Sequence, residues 1–156
     1  MKIMVFVSGG GHLDEALSVL EPLEGHDWVL VTYRQKSLSE FKNPLFRKTY
    51  FLSLFSSWGL PLYGSLFLNF FESLAIFLRE RPQVLFSTGS EIAVFPFYLG
   101  KFLFRTKTIF LETVTRFQKP SQTAKWLYPI SDLFLVQWPE LLKYFGPKAQ
   151  CAGKIL

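Results

Sequence analysis

The sequence predicts an α/β fold, a Rossmann-like doubly wound parallel sheet, and three observations lead to this expectation. Short apolar runs alternate with helical patterns along the chain, which is the order of β-α-β units. Two glycine turns directly follow apolar runs, SGGG after residues 2–7 and TGS after residues 83–87. The length of 156 residues suits one domain with a substantial core. With no repeat or linker in the sequence, a single domain covering residues 1–156 is expected.

The first half of the chain contains three strand patterns and one clear helix pattern. The strands are expected at Lys2–Val7, Trp28–Tyr33 and Thr49–Leu54. A helix is expected from about His12 to Leu23, because leucine and alanine recur there at helical spacing. Residues 34–48 are polar and basic and contain Asn43–Pro44, so they are interpreted as a loop.

The second half continues the alternation after a long apolar segment. Further strands are expected at Gln83–Ser87, Lys107–Leu111 and Asp132–Val136. Helices are expected from Glu91 to about Phe104, from Pro120 to near Tyr128, and from Pro139 onward. Proline suits a first helical turn, because the N–H that it lacks would have no partner there. The usual strand order 3-2-1-4-5-6 then places a ligand crevice at the carboxyl ends of the strands.

The composition restricts the possible partners. Apolar residues make up 49% of the chain, 18 residues are Phe, and the mean hydropathy is +0.23. One small core cannot hide so much apolar surface, which predicts that a membrane or a partner protein covers the rest. The net charge of +5 suits an anionic membrane surface or a phosphorylated ligand. Nucleic acid is disfavoured, since the aromatic residues sit in apolar runs rather than between basic residues.

The first residues indicate a cytoplasmic protein, and the single cysteine is compatible with a reducing compartment. The single cysteine, Cys151, excludes an internal disulfide and a multi-cysteine metal site. Met1 and Lys2 lead into only five apolar residues before the glycines, which does not match a secretory signal. The chain is therefore expected to stay in the cytoplasm.

The first glycine turn, Ser8-Gly9-Gly10-Gly11-His12, predicts an anion site. Glycines let backbone N–H groups approach a phosphate, and the start of a helix favours negative charge. The turn lacks the GxGxxG spacing and the GK[ST] ending, and no acidic residue ends the second strand. Nicotinamide binding and ATP hydrolysis are therefore disfavoured. His12 is either a general base or a helix-start residue without chemistry, and the sequence leaves both open.

A second turn and a basic loop are expected at the same edge. Thr88, Gly89 and Ser90 follow the fourth strand, which lies beside the first in the expected order, so both turns should face one crevice. Ser90 is expected to cap the next helix. Glu112 ends the fifth strand and favours a ligand contact. Arg116 and Lys119 follow as phosphate or headgroup contacts, or as an ordinary solvated loop.

The segment from Trp58 to Leu78 predicts a membrane-seeking helix. Its 21 residues are long enough to span a bilayer, but Pro61, Gly64 and Glu72 interrupt it. Its few polar positions share one stripe: Ser65, Asn69, Glu72 and Ser73. An interfacial helix is preferred to a buried helix, and a buried helix to a spanning one. The expected membrane contacts are Trp58, Leu60, Leu66, Phe67, Phe70 and Phe71, with Arg79-Glu80-Arg81 at the headgroup end.

Three segments together resemble a known family: SGGGHLDEAL, STGSEIAVFPFYLGK, and ETVTRF followed by KWLYPISDLFLVQWPEL. They are similar to oligosaccharide-biosynthesis proteins like the membrane subunit of the two-subunit GlcNAc transferase of the dolichol pathway. Bacterial members work in capsule and exopolysaccharide assembly. The family also resembles the N-terminal half of the peptidoglycan enzyme that adds GlcNAc to a lipid-linked precursor. The resemblance covers nearly the whole chain.

The resemblance implies one half of a GT-B glycosyltransferase split over two polypeptides. This chain would be the N-terminal half, peripheral on the cytoplasmic face of the membrane, binding a lipid-pyrophosphate-linked saccharide acceptor. A partner chain in a heterodimer would bind most of the UDP-sugar, which is a co-substrate, and no metal or other cofactor would be needed. The region from Trp138 and Pro139 to Leu156 would dock on that partner. The alternative is a non-catalytic membrane scaffold that recruits and enhances a catalytic partner.

The resemblance also implies roles for single residues. Gly10, Gly11 and His12 match the glycine-glycine-histidine turn of the single-chain enzymes, with the histidine as a candidate base. Gly89 matches their second glycine loop, and Glu112 matches a carboxylate that would hydrogen-bond the acceptor sugar. The chain departs from the pattern after His12, where Leu13-Asp14 replaces a small hydroxyl residue. The amino-terminal membrane anchor of the eukaryotic subunits is also missing from this sequence.

Overall fold

The described residues form a seven-stranded, all-parallel sheet. The computed structural model describes residues 1–23, 25–35, 38, 41–53 and 62–155, of which 62–67 are described by their backbone alone. The strands are β1 (Lys2–Phe6), β2 (Asp27–Tyr33), β3 (Phe46–Leu52), β4 (Val84–Ser87), β5 (Lys107–Leu111), β6 (Leu133–Val136) and β7 (Ala149–Cys151). They lie in the order β3-β2-β1-β4-β5-β6-β7. This order confirms the expected doubly wound fold and adds a seventh strand.

The helices follow the expected alternation with shifted ends. They are α1 (Gly11–Leu20), α2 (Leu62–Glu80), α3 (Val94–Phe102) and α4 (Gln122–Leu127), with 3₁₀ helices at Glu91–Ala93 and Pro139–Tyr144. The first helix was expected to reach Leu23, but Pro22 follows so closely that the helix ends at Leu20. The helix expected from Glu91 begins as a 3₁₀ turn and becomes α-helical at Val94.

Two strands differ from expectation for physical reasons. β3 begins at Phe46 rather than Thr49, because it is an edge strand in which Arg47 and Lys48 can reach solvent. The residue Leu54, included in that expected strand, lies outside the described residues. β7 has only three residues, and none of them is fully buried. So short a strand gives no apolar run by which it could be found.

Each face of the sheet has its own core because side chains alternate along every strand. Met4 and Phe6 of β1 pack with Phe77 of α2 and Phe97 of α3. The opposite face packs against α1, and its buried members include Ile3, Val5, Leu13, Ala16 and Leu20. β1 and β4 are therefore buried on both sides in the middle of the molecule, and the turns that follow them are held by a rigid base.

An ion-pair cluster joins α2 to the amino edge of the sheet. Glu80, 5% exposed, contacts the side chains of Lys2, Arg47, Lys48 and Tyr50. Although burial alone would raise the pKa of Glu80, hydrogen bonds from Tyr50, Lys2 and Arg47 lower it to about 2. The expectation that Glu80 marks a lipid-headgroup end of the helix is wrong, because this carboxylate is bound inside the protein.

Candidate functional site

The turn between β1 and α1 uses its glycines for different reasons. Gly10 has a φ of +88°, which a residue with a side chain adopts only under strain. A Cβ on Gly9 would lie 2.8 Å from Leu38 Cδ1, so this residue is needed for close packing. A Cβ on Gly10 or Gly11 would meet no described atom within 4 Å. The open space for a ligand therefore lies at Gly10 and Gly11, whereas Gly9 packs against the loop after β2.

The start of α1 is left without a side-chain cap. Gly10 is the N-cap residue and has no side chain to bind the first N–H groups, and Asp14 adds an acidic residue to the first turn. The carbonyl of Gly10 accepts from the N–H groups of Leu13 and Asp14. Uncapped N–H groups at a helix start form a site for an anion.

The second glycine turn is hydrogen-bonded to the first. Thr88 Oγ1 donates to the His12 carbonyl at 2.7 Å, and His12 Nδ1 lies 2.8 Å from the Thr88 carbonyl. The Ser8 N–H donates to Ser90 Oγ at 3.1 Å. Ser90 was expected to cap the next helix, but its side chain makes no capping bond and instead joins the two turns. Thr88 and Ser90 are fully buried, so they hold the turns together from within.

The bond to Thr88 determines which nitrogen of His12 is free. A carbonyl oxygen can only accept, so Nδ1 carries the proton in this 2.8 Å contact. In the neutral ring the lone pair is then on Nε2. His12 is half-buried, and an orienting bond on one nitrogen with a lone pair on the other is the arrangement that a general base requires.

Gly89 lies between the imidazole and a buried carboxylate. Its φ is +104°, and a Cβ built on it would be 3.4 Å from His12 Cε1, 3.5 Å from Glu112 Oε1 and 3.3 Å from the Thr113 nitrogen. The His12 ring and the Glu112 carboxylate therefore both lie within 3.5 Å of the position that a Cβ of residue 89 would occupy. The absence of a side chain at residue 89 lets the first turn, the second turn and the end of β5 meet.

Glu112 occupies the expected place, but its surroundings correct its expected role. The residue is 0% exposed, and its Oε2 accepts from the N–H and the hydroxyl of Ser121 at 2.9 and 3.0 Å. Its Oε1 accepts from the Thr113 N–H at 3.1 Å. Burial raises the pKa of Glu112, against the opposing effect of these donors and of the Arg116 charge. With no exposed surface, this carboxylate positions the start of α4 rather than touching an acceptor sugar.

The loop after β5 presents basic side chains at the same edge. Arg116 and Lys119 are both exposed. They border a depression of about 310 Å³ formed by residues 115–119. A neighbouring groove of about 410 Å³ is also lined by Phe117 and, in addition, by Lys143 and Trp138. The loop therefore offers exposed cationic groups to an anionic ligand, and the role of Arg116 as a phosphate contact stays a prediction.

Two buried polar residues that the sequence analysis missed support this edge. Glu15 of α1 binds the loop after β5 through Thr113 and Val114. The amide of Gln137 donates to the Glu112 carbonyl at 3.2 Å, and its oxygen accepts from the Ile155 N–H at 3.1 Å. Glu15 lies three residues after His12, hence on the same side of the helix. This spacing of three residues is the signal by which the sequence could have pointed to Glu15.

Helix α2 has its polar stripe turned inward. Asn69 and Ser73 are 3% and 1% exposed, and Glu72 accepts from the N–H and hydroxyl of Ser53 at 2.9 and 2.7 Å. The exposed side is apolar, with Leu68 48%, Phe70 37%, Phe71 47% and Leu78 59% exposed. A helix with apolar residues outside and polar residues inside needs an apolar partner for its outer face.

Four of the expected membrane contacts lie where the structure describes no side chain. Trp58 and Leu60 lie outside the described residues, and Leu66 and Phe67 are described by backbone alone. In the described part of the chain, no helix combines the length and apolar character needed to cross a bilayer. The same residues contain no cluster of three or more His, Cys, Asp or Glu side chains that could hold a metal ion.

Comparison with known proteins identifies the family. Residues 3–155 match the family model described as "Oligosaccharide biosynthesis protein Alg14 like". The chain belongs to this family. The Alg14-like chain is 26% identical over 168 residues to the UDP-N-acetylglucosamine transferase subunit ALG14 of Candida albicans, over 93% of this chain and 74% of that protein. The subunit alg14 of Schizosaccharomyces pombe is 28% identical over 165 residues, 89% of this chain and 76% of that protein.

Solved structures confirm the fold of this Alg14-like protein. MurG from Acinetobacter baumannii matches with a TM-score of 0.77 and 13% identity, over 96% of this chain and 45% of that chain. UDP-GlcNAc 2-epimerase from Neisseria meningitidis, bound to UDP-GlcNAc, matches with a TM-score of 0.68 and 13% identity, over 99% of this chain and 47% of that chain. The chain thus spans about half the length of each, with the Rossmann-like fold in common.

Proposed function

We propose that this chain is the acceptor-binding, membrane-associated subunit of a two-subunit glycosyltransferase that uses a UDP-sugar. It extends a lipid-pyrophosphate-linked saccharide at the cytoplasmic face of a membrane. Family membership and the transferase-subunit names of the fungal relatives support the reaction class. The observation that carries the catalytic part is the bond between His12 Nδ1 and the Thr88 carbonyl, which leaves Nε2 as a base at the meeting point of two glycine turns.

In the proposed reaction an acceptor hydroxyl attacks the anomeric carbon of the donor sugar. The new bond forms between the hydroxyl oxygen and that carbon, while the bond from the carbon to the UDP oxygen breaks with inversion. His12 Nε2 takes the hydroxyl proton, and UDP leaves with the bonding electron pair. The uncapped start of α1 and Arg116 offset the charge of the acceptor pyrophosphate. No metal or other cofactor is assigned a role.

A partner chain completes the proposed enzyme. The fungal relatives are named as subunits of a UDP-N-acetylglucosamine transferase, and we assign the UDP-sugar site mainly to a separate subunit. The C-terminal residues are a candidate docking region, since Ile155 is tied to Gln137 and Lys154 Nζ lies 4.1 Å from the centre of the Trp138 ring. Through Gln137 this region connects to the backbone of Glu112, so a docked partner would lie next to the crevice.

The deciding experiment is His12→Ala in the purified pair. Transfer to a lipid-linked acceptor should fall by about 100-fold or more, because a positioned base contributes that much, while the complex stays intact by gel filtration. His26→Ala removes the only other histidine, which is exposed and lies beside Trp28, and should leave the rate unchanged. An intact complex with unchanged turnover after His12→Ala would instead support the non-catalytic scaffold.

A further inference from the structure

Glu15 is a buried carboxyl group on the helix that carries His12. It is 2% exposed and lies among the buried residues of α1, next to Ala16. Because it follows His12 by three residues, it lies on the same side of the helix, one turn further on. The described ion pairs of the protein do not include it.

The carboxyl group joins two segments that are distant in sequence. Glu15 Oε1 accepts from the Val114 N–H at 2.7 Å and from the Thr113 hydroxyl at 2.9 Å. These residues begin the loop that leads from β5 to Arg116. Thr113 also donates its N–H to Glu112, and Val114 accepts at its carbonyl from Trp138 Nε1 at 2.7 Å. Glu15 is thus the link between α1 and this loop.

The arrangement is costly for folding alone. Glu15 Oε2 is buried and has no hydrogen-bond partner among the residues described. Burying a carboxyl oxygen without a partner costs free energy, whereas the bonds of Oε1 to the Val114 N–H and the Thr113 hydroxyl would be lost in an apolar replacement. The unpartnered oxygen thus adds nothing to stability, and the bonded oxygen fixes the position of the loop.

We propose that Glu15 is a positioning residue of the transferase, which fixes the loop carrying Arg116 at a set distance from His12. This inference rests on the function proposed above. Glu15 does not touch the reacting atoms. It holds the base on α1 and the cation on the loop as one rigid unit, so that the acceptor hydroxyl and pyrophosphate are presented together.

The test compares Glu15→Met with Glu15→Gln in the two-subunit enzyme. Methionine keeps the bulk and removes the acceptor, so kcat should fall by about 10- to 100-fold, as expected for a small misplacement of a catalytic group. The KM for the UDP-sugar should change little, because the partner holds that substrate. Glutamine keeps an oxygen for Val114 and should retain kcat within about threefold. Glu21→Met, an exposed acid at the end of the same helix, should match wild type.

Hydrogen exchange measures the link itself and needs no activity. The Val114 amide should exchange faster in Glu15→Met and remain protected in Glu15→Gln and Glu21→Met. Protection of Val114 together with normal kcat in Glu15→Met would overturn the proposal. If Glu15→Met does not fold, Thr113→Val removes only the hydroxyl donor to Glu15 at nearly constant volume and should lower kcat, while the Val114 amide keeps its bond to Glu15. An unchanged kcat in Thr113→Val would equally overturn the proposal.

A double-mutant cycle separates this inference from the proposed function. If Glu15 acts through the loop, Arg116→Ala should lower kcat far less in the Glu15→Met background than in wild type. Independent, multiplicative losses would contradict positioning. Should His12→Ala leave transfer unchanged, the proposed function fails. The exchange data would then still report whether Glu15 holds the loop.

Discussion

At the scale of single residues, the site depends on contacts that converge on one glycine. His12, Glu112 and Thr113 all approach the position that a Cβ of residue 89 would occupy. The hydrogen bond from His12 Nδ1 to the Thr88 carbonyl in the neighbouring turn orients the imidazole. Catalysis as proposed therefore needs a backbone conformation at Gly89 as much as it needs the histidine.

Gly89→Ala tests this dependence. The new side chain forces a residue with φ of +104° into a strained conformation that costs about 1–3 kcal/mol, and its Cβ would lie 3.3 Å from the Thr113 nitrogen and in contact with His12 and Glu112. Gly25→Ala is a matched control, because Gly25 has φ of +79° and no described atom within 4 Å of its Cβ position. Both variants should lose stability in thermal unfolding, but only Gly89→Ala should also lose transfer activity. Equal activities would show that Gly89 serves the fold alone.

At the scale of elements, α2 exposes several large apolar side chains on one side. Within its polar stripe, Glu72 accepts hydrogen bonds from Ser53 at the end of β3, and Asn69 and Ser73 are buried. Its apolar side, which includes Leu68 and Phe71, faces outward. Because β3 ends at the carboxyl edge of the sheet, this part of α2 is on the crevice side. A bilayer touching it would bring a lipid-linked acceptor near the two glycine turns.

Phe71→Gln should weaken binding to vesicles of anionic phospholipid by about fivefold, since a half-exposed phenylalanine contributes on the order of 1 kcal/mol when its face enters the interface. Leu23→Gln is the control, because Leu23 lies beyond the end of α1 and is 46% exposed against 47% for Phe71. Sedimentation with vesicles measures both. Identical binding of the two variants would place the membrane contact elsewhere.

At the scale of the whole molecule, the Glu80 cluster holds α2 to the sheet. This carboxylate binds Lys2 of β1 and Arg47 of β3, and Arg47 also contacts Asp27 of β2. The ends of three strands and one helix therefore meet at one buried group. Removing its charge should affect global stability while leaving the opposite, crevice edge in place.

The stability contributed by Glu80 should depend on pH with a defined sign. Its pKa falls from the ordinary 4.5 to about 2 on folding, so the contribution is complete above about pH 4.5 and is lost as the pH falls toward 2. Glu80→Gln should lower the free energy of unfolding by on the order of 2 kcal/mol at neutral pH. In denaturant titrations, the difference in free energy of unfolding between Glu80→Gln and wild type should become smaller as the pH falls from about 4.5 toward 2. Glu21→Gln should show no such narrowing, and a gap independent of pH for Glu80→Gln would refute the assignment.

Several elements were predictable because their signals are local. β5 was expected at Lys107–Leu111 and is found there, since a short apolar run between polar neighbours defines a buried strand. The meeting of both glycine turns followed from strand order alone. The start of β3 was missed because this edge strand carries charged residues near its start, and β7 was missed because three residues are too few for an apolar run.

By itself the sequence determined the order of strands and helices, the two glycine turns and the edge of the sheet at which they open. Periodicity and the conformational needs of glycine act between near neighbours, so they can be read along the chain. Only the tertiary structure decided which nitrogen of His12 is free, that Glu112 is buried, and that Glu15 holds the loop. The facts about His12 and Glu15 rest on hydrogen bonds between residues 76 and 98 positions apart, and the burial of Glu112 rests on the packing of the whole edge around it. The outward apolar side of α2 was decided in the same way.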